Sequence, residues 1–389
     1  MRQNKVFIYG VTLVATLGGL LFGYDTAVIS GAEKSIQAFL IDSQGLSSFL
    51  HGVTVSSALI GCIVGGAISG FMSSAYGRKN ALIIAGVLFF LSALGSGNPE
   101  FLFFNKGEPS LGVLWMFNFY RVIGGVGVGL ASAVCPMYIG EIAPAAIRGR
   151  LVSLNQFAII FGMLIVYFVN WGIADGQSIE WINEIGWRRM FLSEALPAAV
   201  FILLMFLVPE SPRYLALKQK DTEALSILTR VNGVEKAKQI LEDIKSTVET
   251  SKVKLYSYGK AVIIIGILLS VFQQFVGINV ALYYAPRIFE SMGAAKDASM
   301  LQTIIMGLVN VVFTVVAILT VDKWGRKPLL ILGSIGMAIG MIAISTLAFL
   351  DIIGTTTLVF IIIYTASFMM SWGPICWVLI SEIFPNKIR

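Results

Sequence analysis

The stretch Glu141-Ile-Ala-Pro-Ala-Ala-Ile-Arg148 recurs near the end of the chain as Glu382-Ile-Phe-Pro-Asn-Lys-Ile-Arg389. A second pair, Gly77-Arg78-Lys79 and Gly325-Arg326-Lys327, repeats at nearly the same separation, 248 positions against 241. Repeats at such a period indicate two homologous halves. In membrane transporters, halves of this kind enclose the substrate site between them. We therefore expect a duplicated bundle.

The repeat also sets an expected length for the second half. In the first half, the chain continues for 61 positions from Arg148 to Pro209. In the second half, Arg389 corresponds to Arg148 and is the last residue. On this spacing we expect the second half to lack its last third.

Composition indicates an all-α membrane protein. Apolar residues make up 57% of the 389 and charged residues 13%, with a mean hydropathy of +0.83. Soluble domains carry about 25% charged residues. Runs long enough to span a bilayer lie at about 6–29, 50–72, 81–98, 112–139, 151–172, 190–208, 260–285, 301–321, 328–350 and 355–384.

The net charge of +6 reflects orientation in the membrane, not nucleic-acid binding. With the N-terminus inside, six of the 28 Lys and Arg residues fall outside, Arg121 falls within a span, and the other 21 are cytoplasmic. This is the positive-inside distribution. The six outside are Lys34, Lys106, Arg188, Arg189, Arg287 and Lys296.

One charged stretch, residues 210–259, separates the halves. Its apolar residues recur at helical spacing, which predicts short amphipathic helices broken near Asn232-Gly233. A solvated linker is the alternative. We divide the chain into an N-terminal six-helix half (1–209), a cytoplasmic helical domain (210–259) and a C-terminal half (260–389).

The two Gly-Arg-Lys loops place adjacent cations at the ends of the second and eighth spans. Such cations can contact carboxylates and helix C-termini of neighbouring spans. Glu141 and Glu382 are natural partners, and these ion pairs would hold the cytoplasmic side closed. The alternative is that the cations serve orientation only.

Four features of the sequence are informative together. They are the two Gly-Arg-Lys loops, the two Glu…Ile-Arg stretches, Pro209-Glu210-Ser211-Pro212-Arg213-Tyr214-Leu215 and residues 12–25. In these features the chain resembles the sugar porter family of the major facilitator superfamily. The resemblance implies a twelve-span fold of two pseudo-symmetric halves, so the C-terminal half here would lack two spans. It implies a proton-coupled monosaccharide importer of the bacterial inner membrane, with D-xylose as the expected sugar and alternating access as the mechanism. We expect a monomer in the lipid bilayer, without cofactor, metal or nucleic acid.

The resemblance also implies a set of gating residues. They are Arg78, Lys79, Glu141, Arg148, Glu210, Arg213, Asp322, Arg326, Lys327 and Glu382.

Three ionisable residues lie inside apolar spans: Asp25, Arg121 and Glu194. A charge at membrane depth costs about 2.5–3.5 kcal/mol on insertion scales, so each needs a partner or a hydrated cavity. The resemblance implies that Asp25 carries the proton, that Arg121 is its counter-charge and that Glu194 tunes the pair. A permanent ion pair that fixes helix packing is the alternative.

Span seven concentrates side chains suited to sugar hydroxyls. An amide that faces lipid unsatisfied costs several kcal/mol, and Gly277 and Pro286 permit a break in this helix. The resemblance implies sugar contacts from Gln156, Gln273, Gln274, Asn279, Tyr283, Gly373 and Trp377. For each residue alone, an interhelical hydrogen bond or a packing role is the alternative, above all for Tyr284 and Trp372.

Other functions stay open at this point. They are symport of arabinose, galactose or an inositol, facilitated diffusion, a non-transporting sugar sensor, or an inactive truncated product. An enzyme is disfavoured because the sequence has neither a nucleophile–base pair nor a phosphate loop, and Cys62, Cys135 and Cys376 are at no metal-ligand spacing.

Overall fold

A computed structural model describes residues 5–101, 103–249, 260–293, 296–352 and 354–383. Within these ranges, ten helices are long and apolar enough to cross a membrane, as the composition predicts. The chain divides into two compact units, Met1–Val248 and Glu249–Arg389. Each unit is described by itself.

The N-terminal unit contains six membrane-spanning segments. Five are continuous helices: α1 (Lys5–Ile36), α2 (Ser48–Ala75), α3 (Arg78–Gly97), α4 (Leu111–Ile142) and α5 (Arg148–Ala174). The sixth is built from α6 (Ile179–Trp181), a π-helical turn (Ile182–Gly186), α7 (Trp187–Leu192) and α8 (Ala195–Leu207).

Glycines bring the helix pairs of this unit into backbone contact. Along the packed pair α2 and α4, a Cβ added at Gly61 or Gly65 would collide with the α4 backbone, and one at Gly125 or Gly129 with the α2 backbone. The spacing of four within each pair is the small-residue pattern of close helix packing in membranes.

Two span boundaries differ from the prediction. The first helix does not end at residue 29. It continues to Ile36 and through a π-helical turn to Ile41, because Glu33 is buried and paired and does not face solvent. The sixth span begins at Ile179 and breaks at Ser193–Glu194. Pro197 causes this break, since its ring excludes a helical hydrogen bond to the Ser193 carbonyl.

The segment after Pro209 folds into three helices, α9 (Pro212–Leu217), α10 (Asp221–Asn232) and α11 (Val234–Glu249). Gly233 separates the last two with φ 84°, which confirms the predicted break. Ala224, Leu228 and Leu241 form a small core among these helices. Helices α10 and α11 belong to the N-terminal unit up to Val248, and residues 250–259 of the expected cytoplasmic domain lie outside the described residues.

The C-terminal unit contains two interrupted spans. Its helices are α12 (Lys260–Phe275), α13 (Ile278–Tyr283), α14 (Ala285–Ser291), α15 (Lys296–Trp324), α16 (Arg326–Phe349), α17 (Thr355–Met370) and α18 (Pro374–Ile383). Gly277, with φ 81°, separates α12 from α13, and α14 begins with Pro286 in its first turn. The predicted break of span seven is therefore present, and span ten breaks at residues 371–373.

Candidate functional site

A buried ion pair lies in the middle of the N-terminal unit. Arg121 on α4 donates from Nη1 to Asp25 Oδ1 at 2.6 Å and from Nη2 to the Asp25 carbonyl at 3.1 Å. The side chains of Arg121 and Asp25 are 1% and 0% exposed. The Arg121 guanidinium also lies 5.2 Å from the centroid of the Phe191 ring. The structure thus brings together the predicted acid and its counter-charge.

The second acid lies beside this pair. The fully buried Glu194 carboxyl, at the break Ser193–Glu194, lies near Asp25 and Arg121. Tyr24 and Ser193 share a 2.7 Å hydrogen bond that ties α1 to the same break. Among the described residues, no donor serves Asp25 Oδ2 or either Glu194 oxygen. One cation therefore faces two carboxyl groups in a space that excludes water.

An amide chain occupies the break in the C-terminal unit. Asn279 Nδ2 donates to Gln274 Oε1 at 3.0 Å, and Gln274 Nε2 donates to Gln273 Oε1 at 2.9 Å. Gln273 and Tyr283 are each 6% exposed. Because Gly277 ends α12, two helix segments contribute to one polar cluster. Donors and acceptors lie side by side there, as recognition of a hydroxyl-rich ligand requires.

The other residues predicted for sugar contact are on other elements of the fold. Gln156 is half-buried on α5 of the N-terminal unit. Trp377 is 50% exposed on α18, and Gly373 lies in the break before it. Trp372 donates from Nε1 to Ser334 Oγ at 2.8 Å, which is the interhelical role expected for it.

The first basic loop forms a nearly buried network at one end of the N-terminal unit. Arg78 binds Glu141 with both arms of its guanidinium, each at 2.8 Å, and donates from Nη1 to the Ser73 carbonyl at 3.1 Å. Ser211 Oγ also donates to Glu141. Glu141, the predicted partner of this loop, therefore binds it, and the Ser211 hydroxyl is a further partner of Glu141.

Glu210 caps the start of α3 from outside the helix. Its carboxylate accepts the backbone N–H groups of Arg78 at 3.0 Å and Lys79 at 3.1 Å, and that of Ser211 at 2.7 Å. A carboxylate at a helix N-terminus satisfies unpaired donors and opposes the helix dipole. Burial raises the pKa of Glu210 above its ordinary value, and the backbone donors and Arg78 offset part of that shift.

The second Gly-Arg-Lys loop has the same backbone geometry. Gly77 and Gly325 have φ 95° and 82°, both with ψ 165°, and each precedes a helix. Arg326 Nη1 donates to the carbonyl five residues back at 3.2 Å, as Arg78 does at 3.1 Å. The duplicated sequence therefore folds twice into one local structure.

The remaining gating candidates have fewer described contacts. Lys79 donates from Nζ to the Phe206 carbonyl at 2.9 Å, and Arg148 donates to the Ala143 carbonyl at 3.5 Å. Arg213 is half-buried and Lys327 is exposed. The side chains of Asp322 and Glu382 lie outside the described residues.

Two further buried contacts between ionisable side chains were not predicted from the sequence. Glu33 on α1 lies 3.2 Å from His51 on α2, and Arg188 binds Glu100 through both guanidinium arms. The sequence gives little signal for the Glu33–His51 contact, because Ser30 and Gly31 before Glu33 are typical of a turn and His51 lies at the edge of the predicted second span.

Comparison with known proteins gives the family. The model of the family described as "Sugar (and other) transporter" matches residues 11–389. The chain belongs to this sugar transporter family. A family member named D-xylose-proton symporter, from Escherichia coli strain K12, is 52% identical over 402 residues, which cover 100% of this chain and 82% of that protein.

Solved structures agree with this membership of the sugar transporter family. A partially occluded inward-open conformation of the xylose transporter XylE from E. coli matches with a TM-score of 0.89 and 50% identity, over 97% of this chain and 87% of that one. The major facilitator superfamily proton:xylose symporter XylE bound to 6-bromo-6-deoxy-D-glucose matches with a TM-score of 0.87 and 50% identity, over 99% and 84%. The expected major facilitator fold is therefore confirmed, and the chain is a multi-pass membrane protein.

Proposed function

We propose that this chain imports D-xylose together with a proton by alternating access. The observation that carries the proposal is the buried Asp25–Arg121 pair with Glu194 beside it. We further propose a monomer in the cytoplasmic membrane with its N-terminus inside, as the distribution of Lys and Arg favours. The named relatives and solved structures support both the sugar and the coupled ion.

The charge count of the buried cluster supports a role in proton transfer. One guanidinium and two ionised carboxylates would leave a net negative charge in a water-excluded space, which is costly. A single bound proton removes that charge. In the proposed cycle, the proton enters on Asp25, weakens its bond to Arg121 and leaves toward the cytoplasm once the sugar has crossed. Glu194 sets how readily Asp25 exchanges Arg121 for a proton.

The proposed sugar contacts are those predicted from the sequence. Gln273, Gln274, Asn279 and Tyr283 offer amide and phenol groups at the break of span seven, and Gln156 would add one amide from α5. Trp377 would pack against the sugar's C–H face, with Gly373 allowing close approach of the backbone. The basic loops with Glu141 and Glu210 would act as the cytoplasmic gate.

The test is uptake of labelled D-xylose into proteoliposomes with an imposed pH gradient. The wild-type chain should accumulate the sugar above its outside concentration. Asp25→Asn should still exchange D-xylose across the membrane without a gradient, but it should lose concentrative uptake. Asp42→Asn is the matched control, since Asp42 is an exposed acid in the short turn after the same helix.

Three results would contradict this proposal. Concentrative uptake by Asp25→Asn would remove Asp25 from the proton path. If the wild-type chain equilibrates D-xylose without accumulating it, the function is facilitated diffusion. If it takes up no D-xylose, competition by arabinose, galactose and inositols identifies another substrate.

A further inference from the structure

A groove of about 430 Å³ lies where α1 begins, α8 ends and α10 approaches both. Phe7, Val11, Val14 and Val208 contribute apolar side chains to its lining, polar atoms line the rest, and Gly10 leaves its middle open. An added Cβ at Gly10 would meet no atom within 4 Å. The groove is thus a shaped space within the N-terminal unit alone, remote in the chain from the span-seven amides.

The groove opens onto the surface of the bundle that faces lipid. Leu13 on α1 and Leu203 and Leu207 on α8 are 67%, 66% and 80% exposed. In a membrane protein, such apolar side chains at the outside of a span contact acyl chains. An acyl chain can therefore enter the groove sideways from the bilayer.

Arg230, in the last turn of α10, closes the end of the groove with a positive charge. Its guanidinium lies 4.1 Å from the centroid of the Phe7 ring, an arrangement that fixes the cation above the apolar walls. Within the described ranges, no carboxylate pairs with Arg230 and none lines the groove. Glu210, the acid next to the lining residue Pro209, accepts hydrogen bonds from the backbone of α3.

Other cations are close to this end of the groove. Lys5 begins α1 two residues before Phe7, and Lys79 Nζ binds the Phe206 carbonyl at the end of α8. Basic side chains near an anionic bilayer surface each contribute about 1 kcal/mol to lipid attraction. A groove with apolar side chains along it and a cation at its end matches a lipid, which has an acyl chain and an anionic headgroup.

We propose that this groove binds an anionic phospholipid of the leaflet on the α10 side, with an acyl chain along Phe7, Val11 and Val14 and the phosphate on Arg230. The lipid joins α1, α8 and α10 at the membrane surface. This binding is independent of the transported substrate. A zwitterionic lipid offers no net charge to Arg230, and free phosphate makes no use of the apolar walls.

The experiment is native mass spectrometry of the detergent-solubilised chain with equimolar phosphatidylglycerol and phosphatidylcholine. The wild-type chain should retain one phosphatidylglycerol preferentially. Arg230→Gln removes the cation, and Gly10→Leu fills the groove at a position with free space. Arg230→Gln should lower the retained phosphatidylglycerol about fivefold, the factor expected for one surface charge. Gly10→Leu should also lower it, because the added side chain occupies the space of the acyl chain.

Two matched controls separate this site from general lipid contact. Lys220→Gln removes an exposed cation at the other end of α10, and Gly66→Leu adds the same side chain on α2, where a Cβ also meets no atom within 4 Å. Both should retain the lipid as the wild-type chain does. Equal retention of the two lipids by the wild-type chain, or wild-type retention by Arg230→Gln or by Gly10→Leu, would overturn the proposal.

Discussion

Gln274 lies in the centre of the amide chain at the break of span seven. It accepts from Asn279 and donates to Gln273, so its removal disconnects both neighbours. We predict that Gln274→Ala raises the KM for D-xylose about tenfold, the effect of roughly one lost hydrogen bond with its unpaired partners. Concentration-dependent uptake measures it. Gln44→Ala, which removes an amide bound only to its own turn, is the control; an unchanged KM in Gln274→Ala would exclude this amide from the sugar site.

Candidate site residues were predictable from the sequence where a charged side chain lies within an apolar run. Asp25, Arg121 and Glu194 are charged residues in apolar runs, and the structure places them together. The Glu33–His51 contact was missed because Glu33 lies where a loop was expected and His51 lies at the edge of the predicted second span. The role of Ser211 as a Glu141 partner could not be predicted, since it depends on how the chain turns after α8. The roles of all these residues in transport stay predictions.

At the scale of elements, the start of α3 depends on a side chain 132 residues away in the chain. Replacing Glu210 by Ala leaves the backbone donors of Arg78, Lys79 and Ser211 without their acceptor. We predict a loss of about 2 kcal/mol in the free energy of unfolding, the upper range for a helix cap. Thermal unfolding in detergent measures this loss.

The control for this prediction is Glu223→Ala. Glu223 forms only an exposed pair with Lys220, each side chain 57% exposed, so its removal should have little effect on unfolding. If both variants unfold alike, Glu210 does not stabilise α3.

The contact between α2 and α4 gives a second prediction for an element. A Cβ at Gly125 would collide with the Ala58 carbonyl oxygen, whereas one at Gly66 meets no atom within 4 Å. We predict that Gly125→Ala destabilises the chain by roughly 2 kcal/mol through overpacking. Gly66→Ala should change stability by less than about 1 kcal/mol. Thermal unfolding of the pair compares the same substitution in two environments, and equal midpoints would show that the helices separate at low cost.

Helix positions were predictable from hydropathy, but the course of two spans was not. The break of span seven was predicted from Gly277, because φ 81° is accessible to glycine at little cost. The break beside Glu194 depends on Pro197, which the sequence analysis did not use. The extension of the first helix depends on a tertiary partner for Glu33, which no local pattern contains.

For the whole molecule, orientation in the membrane can be measured directly. Lys106 lies in an exposed turn between α3 and α4, and Lys238 is exposed on α11. We predict that Lys106→Cys reacts with a membrane-impermeant thiol reagent on intact cells, and that Lys238→Cys reacts only after permeabilisation. The unmodified chain is the control, since Cys135 and Cys376 are buried and Cys62 is half-buried. The reverse pattern would place the N-terminus outside.

The duplication was predictable at the level of the whole chain because two short loops kept their spacing. The matching conformations of Gly77 and Gly325 confirm it locally. The inclusion of α10 and most of α11 in the N-terminal unit was not predictable, because the amphipathic pattern of α10 and α11 does not indicate what their apolar sides contact. Val231 of α10, which is buried in the core of the N-terminal unit, makes one such contact.

The glycine contacts have a mechanical consequence. Where α2 meets α4, and where Gly23 and Gly162 join α1 to α5, the helices touch through main-chain atoms and not through adjustable side chains. Each helix pair should then move as one rigid unit. Bending either helix would press main-chain atoms together, and these atoms cannot move aside by changing a side-chain rotamer. Within the N-terminal unit, thermal motion should therefore be lowest along these two helix pairs and highest in the connections between them.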